Sequence, residues 1–160
     1  MSKKPVQFTH NGSSKAVFVD GGENLLNMLR RGVGDLTPKY GCGQGTCGSC
    51  TVIIDGEPHL SCLTLAETVE GRDIQTTGGL GAGENLHPLQ KEFMEGFAAQ
   101  CGFCSPGMLM AAKSLLDRNP NPSRDEVIEA ISGNMCRCTG YDAIIEAILK
   151  AASQLQGRAV

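Results

Sequence analysis

Short stretches of alternating apolar and polar residues occupy the first half of the chain, a pattern typical of half-buried strands. A β-hairpin is predicted where Asn11-Gly12 separates VQFTH from KAVFV. A second hairpin is predicted around Asp55-Gly56, between TVIID and EPHLSC, and RDIQT predicts a last strand. One short helix is expected at about 24–31, between the hairpins. The pattern therefore indicates an α+β unit.

Apolar residues recur at helical spacing beyond a glycine-rich segment, TTGGLGAGEN. Helices are predicted at 88–99, 105–119, 123–132 and 139–155. Ser105 is expected to be the N-cap of the second helix, and Ser123 with Glu126 predicts a capping box for the third. Four short helices indicate a small all-α bundle. The predicted organisation is a domain at 1–77, a linker at 78–87 and a helical domain at 88–160.

Composition excludes several classes of protein. The 160 residues carry a net charge of −3 and contain no block of Lys or Arg, which argues against nucleic-acid binding. No run approaches the roughly 18 apolar residues of a membrane span, so no transmembrane segment is expected. No apolar stretch follows the N-terminal residues, so we expect no signal peptide and a cytoplasmic location. In that setting, eight clustered cysteines favour metal binding over disulfides.

The cysteines fall into two sets of four, one in each predicted domain. The first set is Cys42, Cys47, Cys50 and Cys62. The spacing C-x4-C-x2-C with a distant fourth cysteine is the plant-type pattern for a [2Fe–2S] cluster. The same loop contains Gly41, Gly43, Gly45 and Gly48. Glycines allow left-handed backbone angles that bring N–H groups close to sulfur, and such donors influence the reduction potential of a cluster.

A structural zinc site is the alternative for this first set. Zinc also binds four thiolates, usually supplied as short C-x2–4-C pairs. Here three cysteines crowd into one glycine-rich loop and the fourth stands alone. The spacing therefore favours an iron–sulfur cluster over zinc.

The second set lies at two predicted helix junctions. It consists of Cys101, Cys104, Cys136 and Cys138. The first two form a C-x2-C motif between helices, and the last two precede the final helix, for which Thr139 and Asp142 predict an N-terminal cap. The bundle can bring the two pairs together. Spacing alone leaves zinc, an iron–sulfur cluster and a redox dithiol open.

Four stretches around these cysteines are similar to one known family. They are YGCGQGTCGSCTVIIDGEP, SCLTL, QCGFCSPGM and SGNMCRCTGY. Their order and spacing resemble those of the iron–sulfur subunit of the xanthine oxidase family of molybdenum hydroxylases. The resemblance extends from about Val6 to Leu155 and is highly specific, because it combines both cysteine sets.

This resemblance implies a β-grasp ferredoxin domain followed by a four-helix bundle, each holding one [2Fe–2S] cluster. It implies a large partner subunit that binds molybdopterin near the bundle cluster. It also implies a medium partner subunit that binds FAD near the ferredoxin cluster. Electrons would then pass from molybdenum through the bundle cluster and the ferredoxin cluster to flavin.

The resemblance also implies roles for single residues. All eight cysteines match cluster ligands of the family. Gln100 matches a glutamine expected to hydrogen-bond the pterin, and Cys138 is expected to approach the pterin as well as bind iron. Two departures lie beside ligands. The family commonly has Ala where Ser49 stands and Thr where Ser105 stands, changes that could adjust hydrogen bonding to sulfur.

The sequence therefore predicts an electron-transfer subunit with no substrate site of its own. The complex would oxidise an aldehyde or an N-heteroaromatic compound. A freestanding two-cluster ferredoxin is the first alternative, although the helical half and Gln100 argue against it. A zinc-stapled interaction module is the second alternative.

Overall fold

A mixed five-stranded sheet forms the N-terminal half of the computed structural model, which describes residues 3–157. The strands are β1 Lys4–His10, β2 Ser13–Val19, β3 Thr51–Ile54, β4 Glu57–Leu60 and β5 Asp73–Gln75. Their order across the sheet is β2-β1-β5-β3-β4. Strand β5 runs parallel to β1 and antiparallel to β3, so it joins the two hairpins into one sheet.

Both predicted hairpins are confirmed, and their turns show why they form. Asn11 and Gly12 have φ angles of 49° and 76°, and Asp55 and Gly56 have φ angles of 50° and 88°. Two consecutive left-handed residues are the mark of a type I′ turn, whose twist matches that of paired strands. Asn and Asp tolerate this region better than other non-glycine residues. The local sequence therefore sets the position of each hairpin.

The predicted first helix is present but has an unusual form. It begins as α1, Leu25–Asn27, and continues as a π-helix, Met28–Val33. The side chain of Asn24 caps it by accepting a hydrogen bond from the N–H of Asn27 at 2.9 Å. The helix packs on the sheet, and the resulting core contains Val6, Phe8, Val19, Leu25, Met28, Leu29, Val52, Ile54, Ala66, Val69 and Ile74.

Four helices form the C-terminal half, as predicted. They are α2 Pro88–Glu95, α3 Ser105–Arg118, α4 Arg124–Ile131 and α5 Asp142–Gly157. The predicted capping box of α4 is confirmed, because the Ser123 hydroxyl accepts from the N–H of Glu126 while the Glu126 carboxylate accepts from the N–H of Ser123. The core of the bundle is drawn from all four helices, among them Leu89, Phe93, Met108, Ala112, Val127, Ile131, Ile144 and Ile148.

Three predicted helix ends are wrong. Helix α2 ends at Glu95, four residues early, because Gly96 terminates it. Helix α3 includes Ser105, so Cys104 occupies the N-cap position instead. Helix α5 begins at Asp142, which excludes the predicted cap, because the Thr139 hydroxyl is directed to a cysteine sulfur.

A buried polar network closes the N-terminal half where the linker begins. The Thr76 hydroxyl donates to the Asp35 carboxylate at 2.6 Å and accepts from the Asn11 amide at 2.9 Å. His10 contacts the same carboxylate at 3.0 Å. Burial opposes ionisation of Asp35, but hydrogen bonds from His10, Thr76 and Thr37 hold its pKa well below the usual range. The network ties the linker to β1.

The following residues pack against both halves. The Thr77 hydroxyl donates to the carbonyl of Pro106 in α3 at 3.1 Å. Residues 80–87 then lead to α2 without a strand or helix. The division into 1–77, 78–87 and 88–160 stays a prediction, and its outermost positions, 1–2 and 158–160, lie outside the described residues.

Helix α3 also packs across the sheet, so the halves share an interface. The Ser114 hydroxyl donates to the carbonyl of Gly56 at 3.1 Å, and Arg118 forms an ion pair with Glu57 at 3.1 Å. Residues 3–157 include no helix with the length and apolar character needed to cross a membrane.

Candidate metal centres

The first cysteine set is gathered by one irregular loop and the second hairpin. Cys42 and Cys47 lie in the loop, Cys50 immediately precedes β3, and Cys62 immediately follows β4. The Cys47 thiol lies close enough to Cys42 to lower the pKa of Cys42, and the Cys50 thiol lies close enough to Cys62 to raise the pKa of Cys62. Cys50 and Cys62 are buried together with Leu26. The hairpin thus delivers the distant fourth cysteine to the loop.

Hydrogen-bond donors surround the sulfur atoms of this loop. The N–H groups of Gln44 and Thr46 lie 3.5 Å and 3.3 Å from the Cys42 sulfur. A hydrogen bond from the Thr46 side chain and that from the Gln44 backbone lower the pKa of the Cys42 thiol to about 5. Burial raises the pKa of the Cys62 thiol to about 11, against a hydrogen bond from the Gly45 backbone. The loop therefore stabilises negative charge at its exposed end.

Glycine is required in this loop for two different physical reasons, backbone conformation and space. Gly43, Gly45 and Gly48 have φ angles of 66°, 82° and 67°, where a side chain would be strained. Gly41 has an ordinary backbone, but a Cβ there would lie 2.8 Å from the Cys47 sulfur and 2.7 Å from the Ser49 hydroxyl. The expected left-handed backbone is therefore present at three positions, and the fourth leaves room beside a sulfur atom.

The bundle brings the second cysteine set together at one end. The sulfur atoms of Cys101 and Cys138 lie 3.5 Å apart. The Cys136 thiol lies close enough to Cys104 to raise the pKa of Cys104. Burial raises the pKa of Cys104 to about 12, whereas hydrogen bonds from Thr139 overcome the burial of Cys136 and lower its pKa. Two separate helix junctions therefore form one thiol cluster.

The pairwise arrangement of the thiols fits a binuclear cluster. A [2Fe–2S] cluster has two irons bound by four cysteines in all, two on each iron. The eight thiols approach one another as four pairs, two pairs in each site. The donor set therefore suits two irons in each site better than one zinc ion.

The two sites are direct neighbours. The N–H of Met135 donates to the carbonyl of Cys47 at 2.9 Å. The side-chain amide of Asn134 donates to the carbonyl of Gly48 at 2.9 Å. A cavity of about 210 Å³ between the sites is lined by both, including Cys47, Ser49 and Cys136. A cysteine-bearing loop of each half therefore contacts the other half.

Sequence analysis missed two residues that build this junction. Asn134 is only 6% exposed, and its amide reaches across to the N-terminal loop. The Tyr141 hydroxyl accepts from the N–H of Cys136 at 2.8 Å and donates to the carbonyl of Asn134 at 3.3 Å. The sequence feature that could have indicated these roles is the position of Asn134 and Tyr141 on either side of the C-x-C motif.

The C-terminal site has an exposed face. Cys101 and Cys138 are both exposed, and so is Gln100, the residue before the first of them. The Gln100 side chain makes no hydrogen bond within residues 3–157. Phe97 is 83% exposed and Phe103 is 47% exposed on the same segment. Phe103 lines the same cavity as Cys101 and Cys138, so apolar surface adjoins the most accessible thiols.

Comparison with known proteins gives matches over almost the whole chain. A family described as "2Fe-2S iron-sulfur cluster binding domain" matches residues 8–79, and one described as "[2Fe-2S] binding domain" matches residues 76–149. The nicotine 6-hydroxylase small subunit of Paenarthrobacter nicotinovorans is 49% identical over 145 residues, which cover 91% of this chain and 87% of the relative.

One solved structure and one longer protein also match the chain. The crystal structure of quinoline 2-oxidoreductase from Pseudomonas putida 86 contains a chain with a TM-score of 0.93 and 49% identity, covering 98% of both chains. The aldehyde oxidoreductase of Megalodesulfovibrio gigas is 44% identical over 94% of this chain, but the match covers only 17% of that protein. The same unit thus occurs as a separate subunit and as part of a longer chain.

Fold, thiol geometry and family matches together define a protein with two [2Fe–2S] clusters, one in a β-grasp domain and one in a helical bundle. The chain belongs to the iron–sulfur subunits of the xanthine oxidase family of molybdenum hydroxylases. It is the electron-transfer component of a molybdenum-dependent oxidoreductase.

Proposed function

We propose that the eight cysteines are the ligands of the two clusters, with each pair of neighbouring thiols holding one iron. Cys42 and Cys47 would hold one iron of the N-terminal cluster, and Cys50 and Cys62 the other. The observation that supports this assignment is the close approach of thiols in pairs, beside backbone N–H donors.

The same reasoning assigns the C-terminal ligands. Cys101 and Cys138 would share one iron, and Cys104 and Cys136 the other. A bound [2Fe–2S] cluster accepts and releases one electron at a time. The first pair is exposed and the second is largely covered, so the C-terminal site has an outer side and an inner side. The inner side lies toward Cys47, because Met135, the neighbour of Cys136, donates to the Cys47 carbonyl.

The chain's own contribution to electron transfer is to fix the distance between the sites. The hydrogen bond from Met135 to the carbonyl of Cys47 connects a residue adjacent to Cys136 with a ligand of the other cluster. Asn134 holds the same loops together through Gly48. Short, fixed separation favours transfer between the sites within one chain.

We infer that a large, molybdopterin-binding subunit covers the outer side. Gln100 and Cys138 are exposed there, where each could hydrogen-bond a pterin. Nearby Phe97 and Phe103 supply apolar surface of the kind that protein interfaces bury. The relatives that are small subunits, or parts of a longer oxidoreductase chain, support such a partner.

A medium, FAD-binding subunit is proposed next to the N-terminal site. Tyr40, Leu63 and Leu65 are exposed apolar residues close to that cysteine set in the chain. The proposed substrate of the complex is an aldehyde or an N-heteroaromatic compound, because relatives are named for nicotine, quinoline and aldehydes. A cytoplasmic location of the complex stays a prediction.

Electron paramagnetic resonance of the reduced, purified complex tests this function. Two distinct [2Fe–2S] signals of equal intensity are expected, together with a large subunit that copurifies and contains molybdenum. A stable monomer with both signals and no partner would instead identify a freestanding carrier. Zinc in place of iron would identify the chain as a zinc-stapled interaction module.

Replacement of Gln100 by alanine tests the proposed contact with the pterin. Both cluster signals should persist, while reduction of the clusters by substrate slows by up to roughly tenfold, since a lost hydrogen bond costs about 0.5–1.5 kcal/mol. Stopped-flow absorbance measures that rate. Gln7→Ala is the control, because Gln7 is an exposed glutamine on β1. Equal rates in the two variants would contradict the assignment.

A further inference from the structure

One hydroxyl group in each site contacts a ligand sulfur. The Ser49 hydroxyl lies 3.1 Å from the Cys47 sulfur, and the Thr139 hydroxyl lies 3.1 Å from the Cys136 sulfur. The two ligands are the ones nearest the junction, since Cys47 accepts a hydrogen bond from Met135, the neighbour of Cys136. Each hydroxyl group therefore contacts a ligand that lies close to the junction between the sites.

The direction of these hydrogen bonds follows from the charge of the ligand. An iron-bound cysteine is a thiolate without a proton, so it can only accept. The Ser49 hydroxyl has a second acceptor, the carbonyl of Lys39 at 3.3 Å, but the thiolate is closer and carries charge. Ser49 is 3% exposed, so little water competes for its proton. Both hydroxyls are therefore placed to donate to sulfur.

Resting on the proposed function, we propose that Ser49 and Thr139 are a matched pair of tuning residues, each raising the reduction potential of its own cluster alone. Reduction adds one negative charge to a cluster, which spreads onto the ligand sulfur atoms. A donor to sulfur stabilises that added charge, so the reduced form gains more than the oxidised form. Hydrogen bonding to sulfur is an established determinant of cluster potential.

The pair controls how one electron is shared between the clusters. When the complex holds a single electron, its distribution depends on the difference between the two potentials. Removal of the Ser49 hydroxyl should move the electron toward the C-terminal cluster, and removal of the Thr139 hydroxyl should move it toward the N-terminal cluster. The two changes therefore have opposite signs, which a general structural defect would not produce.

A redox titration of the intact complex, followed by EPR, tests the proposal with Ser49→Ala and Thr139→Val. Each variant should shift the reduced-to-oxidised ratio of its own cluster by roughly tenfold at a given potential, which is about 59 mV for one electron. The other cluster should keep its wild-type potential. In half-reduced samples, the ratio of the two EPR signals should change in opposite directions in the two variants.

Two matched controls separate tuning from damage. Ser61 is a buried serine whose hydroxyl donates to the carbonyl of Cys50 at 2.7 Å rather than to a sulfur, so Ser61→Ala should leave both potentials near wild type. Thr139→Ser keeps the hydroxyl and should behave as wild type. Equal shifts of both clusters in one variant, or a Ser49→Ala shift no larger than that of Ser61→Ala, would overturn the proposal.

The outcome distinguishes this proposal from the function on which it rests. If the wild-type complex does not show two [2Fe–2S] signals, the proposed function itself is contradicted. If both variants show two signals with unchanged reduction potentials, only the tuning roles of Ser49 and Thr139 are contradicted. If Ser49→Ala fails to assemble its cluster, Thr139→Val provides the test. The proposal is then overturned if the C-terminal cluster has the same reduction potential in Thr139→Val as in Thr139→Ser.

Discussion

The N-terminal and C-terminal sites assemble four thiols by different means. The N-terminal set lies within 21 residues of sequence, and an irregular loop carries most of it. The C-terminal set spans two helix junctions that are separated by α3 and α4. Local sequence therefore defines the first site, whereas the packing of a bundle defines the second. A loop has little structure of its own, so it depends more on bound metal than helix ends do.

The sites also differ in what surrounds them. Cys50 and Cys62 are buried under a hairpin, whereas Cys101 and Cys138 are exposed beside apolar residues. The N-terminal site is partly closed by the other half of its own chain. The C-terminal site requires another molecule to close it.

The largest expected effect is the loss of a cluster, and it should differ between halves. Cys47→Ala should remove the N-terminal cluster and destabilise the loop around it, because that loop lacks regular structure and relies on its metal. Hydrogen exchange of the reconstituted chain should show fast exchange in the loop and β3, with the bundle still protected.

Cys104→Ala is the matched variant in the other half. It should remove the C-terminal cluster while α3 and α5 stay protected, since the bundle retains its hydrophobic core. Iron content and EPR should confirm that one cluster remains in each variant. Comparable loss of protection in both halves would show that the two sites do not differ in their dependence on metal.

A smaller effect is expected where the halves touch. A Cβ at Gly107 would clash with the carbonyl of Gly48, which is backbone and cannot easily move. Gly107→Ala should therefore lower the free energy of unfolding by about 1–3 kcal/mol, although alanine usually favours a helix over glycine by about 1 kcal/mol. Chemical denaturation measures the change.

Gly133→Ala provides the control for that substitution. No atom lies within 4 Å of a Cβ built at Gly133, so its replacement should be nearly neutral. A Gly107→Ala variant as stable as Gly133→Ala would show that the halves can separate slightly without cost.

The smallest predicted effect concerns the amide of Asn134. Its replacement by alanine should cost only about 0.5–1.5 kcal/mol, because the carbonyl of Gly48 keeps its hydrogen bonds from Thr51. The magnetic coupling between the two reduced clusters should weaken, since the loops lose one of their two cross-links. Asn119→Ala, which removes an exposed amide paired with Glu126, should leave the coupling unchanged. If the magnetic coupling is unaltered in Asn134→Ala, the hydrogen bond from Met135 alone is enough to fix the distance between the clusters.

The sequence was informative where structure is local. Asn-Gly and Asp-Gly placed both hairpins, and helical spacing placed the four helices of the bundle. The cysteine spacing indicated an iron–sulfur loop, and the helix junctions indicated that the second set could converge. Each of these features depends on residues close together in the chain or on a repeated period.

Features that depend on distant packing were not predicted. The π-helix Met28–Val33 has a wider turn than the period used to recognise helices. The contact of Asn134 with Gly48 depends on where the bundle docks against the N-terminal half. Thr139 was expected to cap a helix, but its hydroxyl meets the sulfur of Cys136 instead. This contact joins residues only three positions apart, but a capping pattern in the sequence does not indicate a hydrogen bond to sulfur.

The bond between Asn134 and Gly48 also has a consequence for biosynthesis. Its partners are separated by 86 positions in the chain. The N-terminal loop leaves the ribosome long before the residue that pins it has been translated. During that interval the loop has its cysteines but lacks its cross-link to the bundle. The N-terminal site is therefore more open on the nascent chain than in the finished protein, and its final closure follows synthesis of the C-terminal half.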